Sequence, residues 1–297
     1  MRIGVKLPHT GRIDPSSIPS RARDLEAAGF DSLWVSDHVV LPTVVRSAYP
    51  FSSDGSVTWP TDQPWVETIV TLAAAAAATS RARIGSGVLV APQRNPVLLA
   101  KQTASLASLS DGRLDLGVGA GWLREEFEVL GSEFDNRGPR LEEWIGLLRS
   151  CWTGRPAPSE GPTYRLPPDV LMMPPPPPVP LLVGGHSRAA LRRAGQLGDG
   201  WLGQQSALAF DSAALARETA VVRAAATAAG RDGAASRTVL RIVDSADHAE
   251  AVADALASLS GAGVTEVVVD VDPFAGDPQA THALLREAAL AADSGAR

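Results

Sequence analysis

Asp37 and His38 stand side by side where an apolar run, Leu33-Trp34-Val35, ends and a long polar loop begins. An imidazole takes or gives a proton near neutral pH, so His38 at a strand end beside an acid is a candidate general acid or base, with Asp37 as its partner. The alternative is a structural histidine held in place by Asp37. A second constellation is Gly184-Gly185-His186-Ser187. Two glycines let the backbone approach a ligand, and a helix opening at Ser187 would aim free N–H groups at a phosphate. The same glycines could simply turn the chain tightly. A further cluster, Gly117-Val118-Gly119-Ala120-Gly121, precedes Trp122, either packing or a pocket wall. His186 is either a ligand contact or a surface residue. Arg124, Glu125 and Glu126 are expected on a solvated helix face.

Elements of fixed geometry must position these groups, and the chain supplies them by alternation. Apolar strands are expected at Ile3–Leu7, Ser32–Ser36, Ala82–Leu89, Arg113–Val118, Leu181–Val183, Gly200–Gly203, Thr238–Val243 and Thr265–Asp270. Between them lie helices, among them Ile18–Ala28, Trp65–Thr79, one opened by Asn95 as cap with Pro96 in the first turn, and one whose stripe Leu141, Trp144, Ile145, Leu148, Cys151, Trp152 keeps a 3.6-residue period. Asp247 and Glu250 read as a capping box. Glycines inside the third strand, Gly85 and Gly87, mark a bulge or a close backbone approach. Near-continuous apolar strands alternating with helices demand a parallel sheet, and eight units close into a (β/α)8 TIM barrel, which works at the carboxyl ends of its strands. A doubly wound sheet is disfavoured because no Gly-x-Gly-x-x-Gly follows the first strand.

The reading is a single domain over residues 1–297 with lid-like insertions at the carboxyl-terminal face, about 41–64 and 154–180. The first carries Tyr49, Phe51 and Trp59; the second holds five consecutive prolines, Pro174–Pro178, and is alternatively a proline-rich ligand for a partner domain.

The totals exclude several classes. A formal net charge of -6 disfavours nucleic-acid and anionic-membrane partners. One cysteine, Cys151, allows no internal disulfide and fits a reducing cytoplasm. The five histidines lack metal-ligand spacing, so no metal site is expected. No run approaches the ~18 apolar residues of a membrane span, and Met1–Val5 reads as the first strand, not a signal peptide.

Taken in order, Ala27–His38, Gly85–Pro96, Leu106–Gly119, Gly184-Gly185 and Gly198-Asp199-Gly200-Trp201 resemble the luciferase-like monooxygenase superfamily, more closely its branch of oxidoreductases using the deazaflavin coenzyme F420. That resemblance implies a bacterial enzyme moving a hydride between F420 and a small organic substrate. A reduced-FMN-dependent monooxygenase is the alternative, and a non-catalytic flavin- or deazaflavin-binding protein a further one. It implies that His38 and Asp37 are catalytic. Asp37, Gly87, Val88 and Asn95 would lie at the cofactor, with a non-proline cis peptide at Gly87-Val88. Gly119, Ala120, Gly184, Gly185, His186 and Ser187 would lie near its phosphate. Tyr49, Phe51, Trp59 and Trp122 would wall the substrate pocket. Trp122 replaces the acidic residue of the branch's sugar-phosphate dehydrogenases, which argues against a phosphosugar. A tendency toward homodimers is a further implication.

Overall fold

The computed structural model describes residues 1–52, 54–57, 59–259, 262–271 and 276–295, with side chains described as far as 291. Ser53 and Thr58, inside the first expected insertion, lie outside the described residues. Eight parallel strands form the frame: β1 (Arg2–Lys6), β2 (Ser32–Val35), β3 (Arg83–Ser86), β4 (Leu114–Gly119), β5 (Leu181–Gly184), β6 (Gly200–Ser206), β7 (Arg237–Val243) and β8 (Glu266–Val269). Neighbours pair in the order β3-β2-β1-β8-β7-β6-β5-β4, and β4 pairs back onto β3, so the sheet closes into a (β/α)8 barrel. Around it run α1 (Ile18–Ala27), α2 (Thr68–Ala78), α3 (Pro96–Leu109), α4 (Arg124–Val129), α5 (Arg137–Trp152), α6 (Arg188–Leu197), α7 (Ser212–Ala228), α8 (Ala249–Ala257) and α9 (Pro278–Gly295).

The two-residue period of a strand sorts its side chains. One face, with Ile3, Val5, Leu33, Ile84, Leu114, Leu116 and Leu240 fully or nearly fully buried, packs on the helices. The opposite face fills the barrel in three layers. At the amino ends sit charges: Asp115 takes Arg83 and Arg237 (2.8 Å each), while Glu266 takes Arg2 (2.6 Å) and Arg237 (3.3 Å). Burial alone would raise the Asp115 carboxyl, but hydrogen bonds from Arg237 and Arg83 hold it below its ordinary value. Two residues further along the strands comes an apolar plug of Trp34, Leu182, Leu202, Val239 and Val268, separate from the outer core. Two residues further again, at the carboxyl ends, the side chains are polar: Lys6, Ser36, Gln204, Arg241 and Asp270.

The third strand expected over Ala82–Leu89 is interrupted. Gly85 pairs with Asp115, and Leu89 pairs with Val118 in a short continuation, Leu89–Val90. Four residues on one strand thus match three on the other, a bulge carrying Gly87 and Val88. The Gly87-Val88 peptide is cis. The glycines opposite are explained by this bulge: a Cβ on Gly119 would stand 2.6 Å from Val88 Cγ2, and one on Gly184 2.5 Å from Val88 Cγ1. Gly119→Ala is therefore expected to destabilise by about 1–3 kcal/mol, measurable as a lower urea midpoint, and Val88→Ala in the same chain should recover part of that loss.

Three expectations are corrected. Gly154–Pro180 does not reach the carboxyl face. It joins a helix to the next strand, and in a barrel such connections fall at the amino ends, because helices run back against the strands. Pro177 lies against Gly112, just before β4, and Met173 and Pro175 lie against Gly154. Lys101 of α3 donates to the Met173 carbonyl, and Tyr164 N–H donates to Glu143 of α5 (2.8 Å). The segment carries a small hairpin, Ser159–Glu160 with Arg165–Leu166, and buries Leu166 and Met172 in the core. The pair Asp247 and Glu250 does not cap α8, whose preceding residue is His248 with no side-chain cap. Helix α2 begins at Thr68, since Trp65 is held by a bridge to Thr10.

Candidate active site

His38 lies just past β2 and is 8% exposed, edge-on to Trp65 (4.8 Å) and Trp122 (6.0 Å). Its partner is not Asp37. His38 Nδ1 meets Glu126 Oε2 at 3.0 Å, and Glu126 Oε1 accepts from the N–H groups of Val39 (2.6 Å) and Val40 (3.2 Å). Burial opposes charge on Glu126, yet the hydrogen bond and charge of His38, with the Val39 N–H, hold the carboxyl below its ordinary value. An ionised carboxylate only accepts, so Nδ1 carries a proton and donates. Nε2 has no hydrogen-bond partner among the described residues.

Asp37 is closed off instead. Its Oδ1 accepts from Arg94 Nη2 (2.7 Å) and Thr68 Oγ1 (2.8 Å), its Oδ2 from Arg94 Nη1 (2.7 Å) and Val90 N–H (2.8 Å). Four hydrogen bonds saturate the carboxylate, whose side chain has no exposed area. Asp37 therefore braces the bulge and α2 against β2 and does not orient His38. The adjacency of Asp37 and His38 in sequence misled because successive residues diverge.

Of the solvated face expected for Arg124–Glu126, Arg124 is exposed and Glu125 half-buried, but Glu126 is buried. Leu123, Glu126 and Phe127 form the buried side of α4. Glu125 accepts from Arg46 N–H (2.6 Å), Ser47 N–H (3.1 Å) and Ser47 Oγ (2.7 Å). Burial alone would raise the carboxyl of this half-buried residue, but the hydrogen bonds together bring it down to about 2. Adjacent glutamates thus tie down two stretches of the loop after β2. A helical wheel would have found Glu126, since residues 123, 126 and 127 share one face. Nothing local signals Arg94.

That loop crosses the strand ends. Tyr49 meets Trp59 (4.8 Å), Trp122 (5.1 Å) and Phe51 (5.6 Å), and Phe51 reaches His186 (5.8 Å). The structure therefore brings all four expected pocket-wall residues together, in one aromatic cover running from His38 to β5. Burial raises the Tyr49 phenol above its ordinary value.

His186 is committed within the fold. Its Nε2 accepts from Gln204 N–H (3.0 Å), which leaves Nδ1 protonated toward Glu218 (2.8 Å). Asn95 caps α3 by accepting from Val97 and Leu98 (3.0 and 3.1 Å). Ala120 packs on the core, and Gly185 takes a positive φ of 117°. Ser187 caps α6, its Oγ accepting from Ala190 N–H (3.2 Å), so its own proton remains free to donate at an exposed helix start beside Arg188.

Polar atoms near the strand ends lack partners within the protein. Ser36 Oγ, both amide atoms of Gln93 and Arg241 Nε are buried and make no hydrogen bond among the described residues. The Gln93 amide lies close enough to Glu126 to favour its charge, but outside hydrogen-bonding geometry. Buried polar groups seldom stay unpaired, so a ligand with polar edges fits here. Ser36 and Arg241 line one cleft with Lys6, Trp34, Gly87 and Leu202. Burial, aided by the Arg241 charge and opposed by Asp270, lowers the Lys6 ammonium to about 8.

The unfolded chain holds the Lys6 proton to 10.5, the folded chain to about 8, so between them the unfolded state binds more protons and stability rises with pH. Lys6→Met is expected to abolish this rise and to stabilise the protein near neutrality by about 1–3 kcal/mol, as read from urea denaturation at several pH values. An unchanged pH slope would contradict it.

The model of a family described as luciferase-like monooxygenase matches residues 1–295. An uncharacterized protein of Mycobacterium tuberculosis is 39% identical over 181 residues, 61% of this chain and 62% of that relative. An F420-dependent glucose-6-phosphate dehydrogenase of Amycolatopsis mediterranei is 31% identical over 206 residues, 68% of this chain. That match spans 57% of the dehydrogenase, so both matches take in less than two thirds of the relative's length. Among solved structures, an F420-dependent secondary alcohol dehydrogenase in complex with an F420-acetone adduct superposes with a TM-score of 0.76, 20% identity and 98% coverage of both chains. At that identity the likeness concerns the fold. Among the described residues no helix is long and apolar enough to cross a membrane.

Proposed function

This chain belongs to the luciferase-like monooxygenase family, and from that premise we propose that it is an oxidoreductase that uses coenzyme F420 to move a hydride to or from a small organic substrate. The observation that carries the reading is the His38–Glu126 pair beneath the aromatic cover, a tautomer-fixed imidazole with one nitrogen free for a substrate proton. The F420-dependent dehydrogenase among its relatives favours the deazaflavin over FMN.

The residues present fit that coenzyme. The Val88 bulge offers an apolar support for a flat ring, and the unpartnered Ser36 and Gln93 groups offer hydrogen bonds to its polar edge. The Ser187 hydroxyl and the first N–H groups of α6 would take a phosphate, with Arg188 beside them. When bound, F420 supplies or accepts a hydride at carbon 5. His38 Nε2 takes the proton of a substrate hydroxyl as hydride leaves the carbon, or returns it in the reverse direction, while Glu126 keeps Nδ1 protonated. Tyr49, Trp59 and Trp122 keep bulk water from the reacting groups.

The test is turnover with each cofactor. With F420 and a panel of alcohols and ketones, substrate-dependent change in deazaflavin absorbance is expected, and no oxygenated product with reduced FMN and oxygen. An oxygenated product with reduced FMN would assign the chain to the monooxygenases, and cofactor binding without turnover on any of the panel would favour a binding protein.

A further inference from the structure

Most charged groups inside the barrel or on its inner rim are paired. Asp115 and Glu266 hold three arginines, Asp37 holds Arg94, Glu126 holds His38, and Asp270 holds Arg241 at 3.3 Å. Lys6 is the exception. It ends β1 on the inward face, and among the described residues it makes no hydrogen bond or ion pair. Beside it, Arg241 has its Nη2 on Asp270 but leaves Nε buried and unpartnered. Both side chains line one cleft, whose floor is Trp34, Leu202 and Val268.

The polar and glycine-rich strand ends fall on opposite sides of the barrel. Glycines at β4 and β5 flank the Val88 bulge, where the proposed cofactor ring has its support. Lys6 and Arg241 stand at β1 and β7, so the cleft between those sides would receive the substrate. With Lys6 and Arg241 against Asp270 alone, the cleft carries a net positive charge when Lys6 is protonated. Retaining an unpaired ammonium in an apolar cleft is unfavourable unless a ligand completes it.

We propose that Lys6 and Arg241 form a seat for an anionic substituent of the substrate, a carboxylate, so that the enzyme acts on small organic acids bearing the oxidised or reduced carbon nearby. This inference rests on the proposed oxidoreductase reading but concerns groups that act without the cofactor, so it can be tested separately. The ammonium supplies a charge-assisted hydrogen bond to one carboxylate oxygen, and Arg241 Nε supplies the N–H for the other. Trp34 and Leu202 accept the alkyl part.

The experiment is isothermal titration of the purified protein, near neutrality and at low salt, with hexanoate and with hexanamide, a neutral analogue of the same size. Hexanoate is expected to bind at least about tenfold tighter. Lys6→Met should remove that preference, Lys6→Arg should restore most of it, and Arg241→Met should weaken it, while F420 binding stays within about twofold for the Lys6 variants. Equal binding of hexanoate and hexanamide, no binding of either, or a preference surviving in Lys6→Met would overturn the proposal. Retained carboxylate preference in a protein that binds no F420 would instead overturn the cofactor reading and leave the anion seat standing.

Discussion

His38→Ala is expected to lower turnover by about two to four orders of magnitude, with F420 affinity and the far-ultraviolet circular dichroism unchanged. The loss follows from removing the one side chain whose free nitrogen can accept or return the substrate proton. Glu126→Gln provides the sharper test of mechanism. A carboxylate can only accept the Nδ1 proton, whereas an amide can donate to Nδ1, which would move the ring proton to Nε2 and leave no lone pair for the substrate. Glu126→Gln should therefore lower kcat nearly as far as His38→Ala while changing KM little, because the residue positions His38 and does not touch substrate. A Glu126→Gln enzyme with full kcat would assign the pair to structure alone.

Asp37→Ala should have the largest effect on stability. Arg94 is 14% exposed and loses two 2.7 Å hydrogen bonds, with Glu67 at 3.4 Å its remaining acidic neighbour. Stranding one partner of a buried ion pair costs about 3–5 kcal/mol, so the denaturation midpoint should fall sharply. Arg94→Met added to Asp37→Ala should recover much of the loss, because the stranded charge has gone. That non-additivity distinguishes a bracing pair from two independent contributions. If Asp37→Ala kept its stability and lost turnover, Asp37 would belong to the chemistry after all.

The frame was legible because it is written in local patterns. Alternating apolar strands and amphipathic helices carry their own period, and Asn95 and Ser187 announce helix starts by side-chain chemistry, as the hydrogen bonds to Val97 and Ala190 bear out. The Val88 bulge was flagged by its glycines, although the glycines opposite it are explained by steric room for Val88. Partner choice was not legible. Glu126 is 88 residues from His38 and Arg94 is 57 from Asp37, and nothing within a strand records which distant element closes beside it. The charged layer at the amino ends left a trace, since Arg2, Arg83, Asp115, Arg237 and Glu266 all interrupt apolar strands at their first or second residue. The place of Gly154–Pro180 follows from topology alone and not from its composition: a link from helix to strand belongs to the opposite end of the barrel from His38.

The proposed function requires these strand ends to hold a deazaflavin. Its most direct test is a fluorescence titration of the purified protein with F420 and, separately, with FMN. Saturable F420 binding at least about tenfold tighter than FMN is expected, weakened when Ser187→Ala removes the hydroxyl at the start of α6. Tighter binding of FMN, or binding of neither, would contradict it.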